Sequence, residues 1–160
     1  MNKSFVLWFT GLPSAGKSTL AEAVCAELAK LNHPHERLDG DVVRSYFPKV
    51  GFTKDERNQH VSRVGFASSL LEKHGISVVA AFVSPYKESR DFVREVCQNF
   101  IEVHVATGLE ECERRDVKGL YKKARDGEIS QMTGVDDVYE IPENPELKID
   151  TTEKSIETVS

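Results

Sequence analysis

Apolar and polar residues run along this chain in short blocks whose period switches between that of a strand and that of a helix. Ser4-Phe5-Val6-Leu7-Trp8-Phe9 is almost wholly apolar and predicts a buried strand. Leu20, Val24, Leu28 and Leu31 follow at helical spacing in a segment free of Gly and Pro, which predicts a helix. His35 to Leu38 predicts a short strand that ends in the polar turn Asp39-Gly40-Asp41. Residues 55–73 place Val61, Val64, Ala67, Leu70 and Leu71 on one helical face, and Gly75 stops that helix. Ile76 to Val83 is apolar or small apart from one early Ser, the composition of an inner strand covered on both faces. Ser84-Pro85-Tyr86 ends it, and Phe92, Val93 and Val96 mark the next helix. Phe100 to Val105 predicts a strand, Leu109 to Arg115 a short helix, and Leu147 to Asp150 a last strand. Thr152 with Glu153 reads as the start of a further helix.

Alternation of this kind predicts an α/β fold, a parallel central sheet with helices on both faces, which gathers its ligands at the carboxyl ends of the strands. The polar clusters 11–18, 39–44 and 84–86 all fall there. Residues 114–134 break the rhythm: Arg, Lys, Asp and Glu with three glycines and little periodicity. That stretch is too long and too charged for a simple connector, so a mobile lid over residues 114–137 is expected. The 160 residues are expected to form one domain, 1–160, with a core that needs no disulfide. A net charge of −5 argues against a general nucleic-acid or anionic-membrane surface. Cys25, Cys97 and Cys112 lack C-x-x-C spacing and read as reduced thiols, buried in the case of Cys25 and Cys97. His33-Pro34-His35 has no further ligands at useful spacing and reads as a surface loop rather than a metal site. With no signal-peptide pattern and no apolar run of membrane-spanning length, a cytoplasmic location is expected.

Between the first strand and the first helix, Gly11-Leu12-Pro13-Ser14-Ala15-Gly16-Lys17-Ser18 fits G-x-x-x-x-G-K-[ST] at every fixed position, with Thr19 directly behind. Such a loop turns backbone N–H groups inward around a polyphosphate, and the helix N-terminus adds its positive dipole end. Lys17 is expected to reach the β- and γ-phosphates and Ser18 to hold Mg²⁺, so the chain is expected to bind ATP with Mg²⁺. Within the α/β class the fold expected is that of a P-loop NTPase, a nucleotide-kinase-like three-layer sandwich. The Asn-Lys-x-Asp stretch by which GTPases read their base is absent. Instead Asp39 and Asp41 stand with Arg44 one turn on, the carboxylates and cation that a small-molecule kinase needs.

Nearly the whole chain resembles the adenylyl-sulfate kinase family. The resemblance rests on Trp8-Phe9-Thr10-Gly11-Leu12, Leu38-Asp39-Gly40-Asp41 with Arg44, Gly51-Phe52-Thr53 with Arg57, and Ser84-Pro85-Tyr86 with Arg90. It continues in Cys112-Glu113-Arg114-Arg115-Asp116, Lys118-Gly119-Leu120-Tyr121-Lys122-Lys123-Ala124-Arg125, Thr133-Gly134-Val135-Asp136-Asp137 and Tyr139-Glu140. It implies ATP-dependent phosphorylation of the 3′-hydroxyl of adenylyl sulfate in sulfate assimilation, and a homodimer. By the resemblance Asp41 is the carboxylate nearest the acceptor hydroxyl, as base or as organiser of Mg²⁺ and water. Arg44 and Arg57 grip the phosphosulfate, Phe52 stacks on the adenine, and Lys118 reaches over from the lid. Asp39, His60, Val83, Gly119, Leu120, Met132 and Thr133 complete the implied acceptor site. Ser84 matches the serine named in the family as a phosphorylated intermediate. In-line transfer needs no such serine, and no base for it is near in sequence, so a hydrogen bond to substrate is its other role. Arg90 is expected at the ligand edge of the sheet, and Arg114 and Arg115 stand between stabilising the transferring charge and keeping the lid soluble. His60 stands where the family usually has Asn, with a charge expected to vary near neutral pH. Met132 stands where an aromatic residue is usual, Ser62 for Arg, Ser130 for Lys and Val138 for Pro. At this point an acceptor such as a cytidine diphosphate derivative, or a non-catalytic nucleotide sensor, remains open.

Overall fold

The computed structural model describes residues 3–47 and 51–152. In chain order the elements are β1 (Val6–Thr10), α1 (Lys17–Lys30), β2 (His35–Asp39), α2 (Gly40–Ser45), α3 (Lys54–Lys73), β3 (Ser77–Ala81), α4 (Lys87–Val96), β4 (Phe100–Val105), α5 (Leu109–Arg115), α6 (Leu120–Arg125) and β5 (Leu147–Ile149). The five strands form one parallel sheet in the order β2-β3-β1-β4-β5. β1 lies in the middle, with Phe9 opposite Ala81 on one side and Val103 on the other. The connections run to β2 and β3 on one side of β1 and to β4 and β5 on the other, and in sheets of this kind the crevice at such a switch of strand order takes the ligand.

Period-two alternation divides the inner strands between two cores. Phe9, Val79, Ala81, Val103 and Val105 pack with Leu20 and Ala21 of α1, Cys112 of α5 and Tyr121 of α6. Val6, Trp8, Val78, Ala80 and Phe82 face the other way, onto Val61 and Val64 of α3 and Val93 of α4. This is the three-layer sandwich that the alternation predicts. Trp8 is fully buried, stacked on Phe82 at 5.2 Å and tilted against Phe100 at 6.4 Å.

The differences from the sequence reading lie in detail. The buried stripe of α3 runs through His60, Val61, Val64, Gly65, Ser68 and Glu72, while Ala67 and Leu70 are exposed. Close approach of α4 explains part of it: a Cβ at Gly65 would lie 2.4 Å from a methyl of Val93. The Glu72 carboxylate accepts the Gln98 and Asn99 N–H groups at 2.7 Å each, which brings a charged side chain inside. The inner strand read as Ile76 to Val83 is shorter, Ser77–Ala81. All three cysteines are free, Cys97 and Cys112 buried and Cys25 half-buried. The helix expected to begin at Thr152 and Glu153 falls, from 153 on, outside the described residues. Among the described residues no helix is long and apolar enough to cross a membrane.

Trp8→Ala is expected to lower the unfolding free energy by about 3–5 kcal/mol in urea titrations, from lost transfer energy and the cavity left behind. Phe66→Ala, on the exposed side of α3, is expected to stay within about 0.5 kcal/mol of the parent.

Candidate active site

The phosphate loop is shaped by two close approaches. A Cβ at Gly11 would meet the Val105 carbonyl oxygen at 2.6 Å, so only glycine lets the chain leave β1 beside β4. Gly16, at φ 107°, makes the left-handed turn into α1. Lys17 is buried behind this loop, and its Nζ donates to the carbonyls of Gly11 (3.0 Å) and Leu12 (2.8 Å). Burial lowers its pKa to about 8. Ser18 and Thr19 at the start of α1 are exposed, and Ser18 Oγ donates to Asp39 Oδ2 at 2.7 Å.

Asp39 closes β2 and caps α2, its Oδ1 accepting the Asp41 N–H at 3.1 Å. The carboxylate beside Ser18 is thus Asp39, whereas Asp41, expected as its partner in holding metal, is ion-paired with Lys118 across the cleft. Ser18 and Asp39 offer hydroxyl and carboxylate oxygens, the donors that fit Mg²⁺, which takes few protein ligands and completes its shell from phosphates and water. Among the described residues no cluster of His, Cys, Asp and Glu could hold a metal unaided. His33, expected in a surface loop, is buried with its Nε2 2.7 Å from Ser77 Oγ.

From the last turn of α2, Arg44 donates through both terminal nitrogens to the Gly51 carbonyl at 3.3 Å each. Its guanidinium carbon lies 4.4 Å, and that of Arg57 5.4 Å, from the ring centre of half-exposed Phe52. Burial, then the charge of Arg57, lowers the Arg44 pKa. Like charges drawn together around an aromatic face make a site for an anion attached to a flat ring. Arg57 also donates Nε to the Phe52 carbonyl (2.8 Å), Nη1 to Thr133 Oγ1 (2.6 Å) and Nη2 to the Gln131 carbonyl. It thereby fastens the 51–53 turn to the far end of the lid segment.

Other expected site residues lie deeper. His60 is buried edge-on between Phe47 (6.1 Å) and Phe82 (6.0 Å), with no partner on Nε2. Burial, then Arg44 and Arg63, lowers its pKa to about 4. Its charge therefore does not vary near neutral pH, contrary to expectation. Met132 is buried in the core with Phe9 and Tyr121 rather than offered as an open stacking face. Ser84 is buried at φ 41°, its hydroxyl accepting from Trp8 Nε1 (3.0 Å) and donating to the Phe82 carbonyl (3.1 Å). Enclosed in this way, and with no base among these partners, its hydroxyl ties Trp8 to the backbone just beyond β3. Arg90, expected at the ligand edge, is likewise internal. It pairs with Glu102 and donates to the carbonyls of Ser84 (2.6 Å) and Glu140. Tyr86 donates to the Asp137 carboxylate at 3.0 Å. Half-buried Val83 lends its carbonyl to Thr10 Oγ1 at 2.7 Å.

The segment expected as a lid carries α6 and is seated on the loop. Gly119, at φ 69°, starts α6, and Leu120 packs on the core. Arg115 donates to the carbonyls of Ser14 and Ala15 (3.4 Å each) and to Thr151, behind the loop rather than over it. Arg114 pairs with Glu111 on an exposed turn. Sequence reasoning missed Thr107 and Thr151, whose hydroxyls both donate to the Ala15 carbonyl (3.0 and 2.7 Å). It also missed the 2.7 Å bond between the Thr10 and Tyr139 hydroxyls. Single threonines outside any motif leave no signal in a sequence, whereas Tyr121 and Tyr139 lie inside strings that stood out.

Comparison with known proteins gives one consistent result. Residues 3–150 match the family model described as adenylylsulphate kinase. An adenylyl-sulfate kinase of Gloeothece citriformis is 48% identical over 150 residues, covering 93% of this chain and 85% of the relative. One of Synechococcus sp. (strain JA-3-3Ab) is 48% identical over 155 residues, covering 96% and 88%. The structure of the Mycobacterium tuberculosis APS kinase CysC in complex with AMPPNP and APS superposes with a TM-score of 0.93 at 36% identity, covering 99% of this chain and 94% of that one.

A lysine can grip phosphate only while protonated. Affinity for the ATP analogue AMPPNP, measured by calorimetry, is therefore expected to weaken as pH rises through about 8. Lys17→Ala should bind weakly at every pH and lose that dependence.

Proposed function

The chain belongs to the adenylyl-sulfate kinase family, and on that footing we propose that it transfers the γ-phosphoryl group of ATP to the 3′-hydroxyl of adenylyl sulfate, giving ADP and 3′-phosphoadenylyl sulfate. The observation that carries this reading is the span of α2. Its cap, Asp39, touches Ser18 of the phosphate loop, its first turn carries Asp41, and its last turn carries Arg44 into the Phe52–Arg57 cluster. Donor, carboxylate and anion grip therefore follow one another along a single short helix.

In the proposed mechanism the loop amides and Lys17 hold the β- and γ-phosphates. Ser18, with Asp39 beside it, would hold Mg²⁺, which neutralises phosphate charge when bound. Arg44 and Arg57 take the phosphosulfate, and Phe52 lies against the purine. Asp41, exposed at the cleft, accepts the proton of the 3′-hydroxyl as its oxygen attacks in line. Lys118 leaves Asp41 for the travelling phosphoryl group, where positive charge lowers the barrier most. Neither buried His60 nor buried Met132 lends support to a cytidine-type acceptor, since neither reshapes an open slot. A homodimer in the cytoplasm belongs to the same reading and rests on the sequence and the resemblance alone.

A coupled assay of ADP release should show turnover with adenylyl sulfate and little with cytidine diphosphate derivatives. Asp41→Asn is expected to lower kcat by about 10²–10⁴-fold with the KM for ATP nearly unchanged. Correctly folded protein that releases no ADP in the presence of adenylyl sulfate would overturn the proposal.

A further inference from the structure

The apex of the phosphate loop and the root of the lid segment are joined residue by residue. The Pro13 carbonyl accepts the Tyr121 hydroxyl at 2.8 Å, and Ser14 Oγ accepts the Val117 N–H at 3.1 Å. Ser14 adopts φ 66°, the left-handed region that L residues enter at a cost and glycine enters freely. A serine held there needs a reason in its side chain, and the bond to Val117 supplies one. Tyr121 is 1% exposed, so its ring fixes the other end of the segment in the core. Just before the first anchor Asp116, itself at φ 34°, accepts the N–H groups of Tyr121 (2.9 Å) and Lys122 (3.0 Å) on its two carboxylate oxygens and so closes the turn between them. Lys118 thus stands on a tight turn with one side bonded to Ser14 and the other to Pro13, and it points to Asp41.

We propose that Ser14 and Tyr121 are positioning residues that lock Lys118 to the phosphate loop. Loop and lysine move as one body, and the triphosphate that fixes the loop also fixes the cation over the acceptor. The inference rests on the role given to Lys118 above.

The test is a double-mutant cycle with ATP and adenylyl sulfate. Ser14→Gly removes the hydroxyl while easing the backbone, so folding should not suffer. It is expected to lower kcat about tenfold, the worth of one hydrogen bond, while the KM for ATP stays within about twofold. Tyr121→Phe, checked for folding by its melting temperature, is expected to show the same split. In a Lys118→Met background, Ser14→Gly should cost less than about twofold more, because its effect passes through the lysine. A raised KM for ATP with unchanged kcat, or the full tenfold loss persisting without Lys118, would overturn the inference. A crippled Lys118→Met beside a fully active Ser14→Gly would overturn the coupling alone. Full turnover by Lys118→Met would overturn the role of the lysine and the coupling with it.

Discussion

The bond from Ser18 to Asp39 ties the phosphate loop to the start of α2. One partner opens α1 behind the phosphate loop, and the other closes β2 two strands away in the sheet. Because Asp39 also caps α2, the bond that sets the edge of the donor site sets where α2 begins. Everything on the acceptor side hangs from that helix: Asp41 on its first turn, Arg44 on its last, and the 51–53 turn that Arg44 and Arg57 hold. A hydrogen bond to a carboxylate is worth at most about 1.5–3 kcal/mol in stability, less where it is exposed as here. Its value lies in geometry, since a small misplacement of reacting groups costs far more in rate than in folding.

Behind the site lies a buried polar scaffold. Trp8 donates to Ser84, Arg90 to the Ser84 and Glu140 carbonyls, and Thr10 to Val83 while sharing a bond with Tyr139. Glu102 faces Arg90 and Arg94; burial pushes its carboxyl pKa up, and the two guanidinium groups oppose the rise. Enclosing such a pair in the fold takes a desolvation cost that its attraction barely offsets. The pair stands between α4 and β4, where it fixes the helix that reaches the carbonyl ends of β3 and of the 137–140 segment. Several residues that look like ligand contacts from their motifs are therefore supports for the surface that ligands meet.

The fold was largely legible in the residues because inner parallel strands and their helices carry strong periodic signals. The strand at Phe100–Val105, the phosphate loop and the helix after it stand where the pattern places them, and the first strand, read at residues 4–9, forms at Val6–Thr10. The shape of the phosphate loop was legible too, because Gly11 and Gly16 are required by close backbone approach and a left-handed turn. What sequence could not give was the direction of polar side chains. Asp39 and Asp41 are two residues apart and chemically alike, yet the helix start between them sends one to Ser18 and the other to Lys118. Ser84 and Arg90 sit at the right end of the sheet but turn inward, and His60 and Met132 are buried. Their neighbours come from segments far away in the chain, which no local spacing encodes.

The central claim is that α2 delivers an acceptor hydroxyl, held by guanidinium groups, to the terminal phosphate of a nucleotide in the loop. The most direct measurement is a crystal structure with adenylyl sulfate and AMPPNP bound together. The expected result is the acceptor's 3′-oxygen about 3–3.5 Å from the γ-phosphorus, with Asp41 within hydrogen-bonding distance of that oxygen and Arg44 and Arg57 on the phosphosulfate. An acceptor seated away from α2, with its 3′-oxygen remote from both Asp41 and the γ-phosphate, would contradict it.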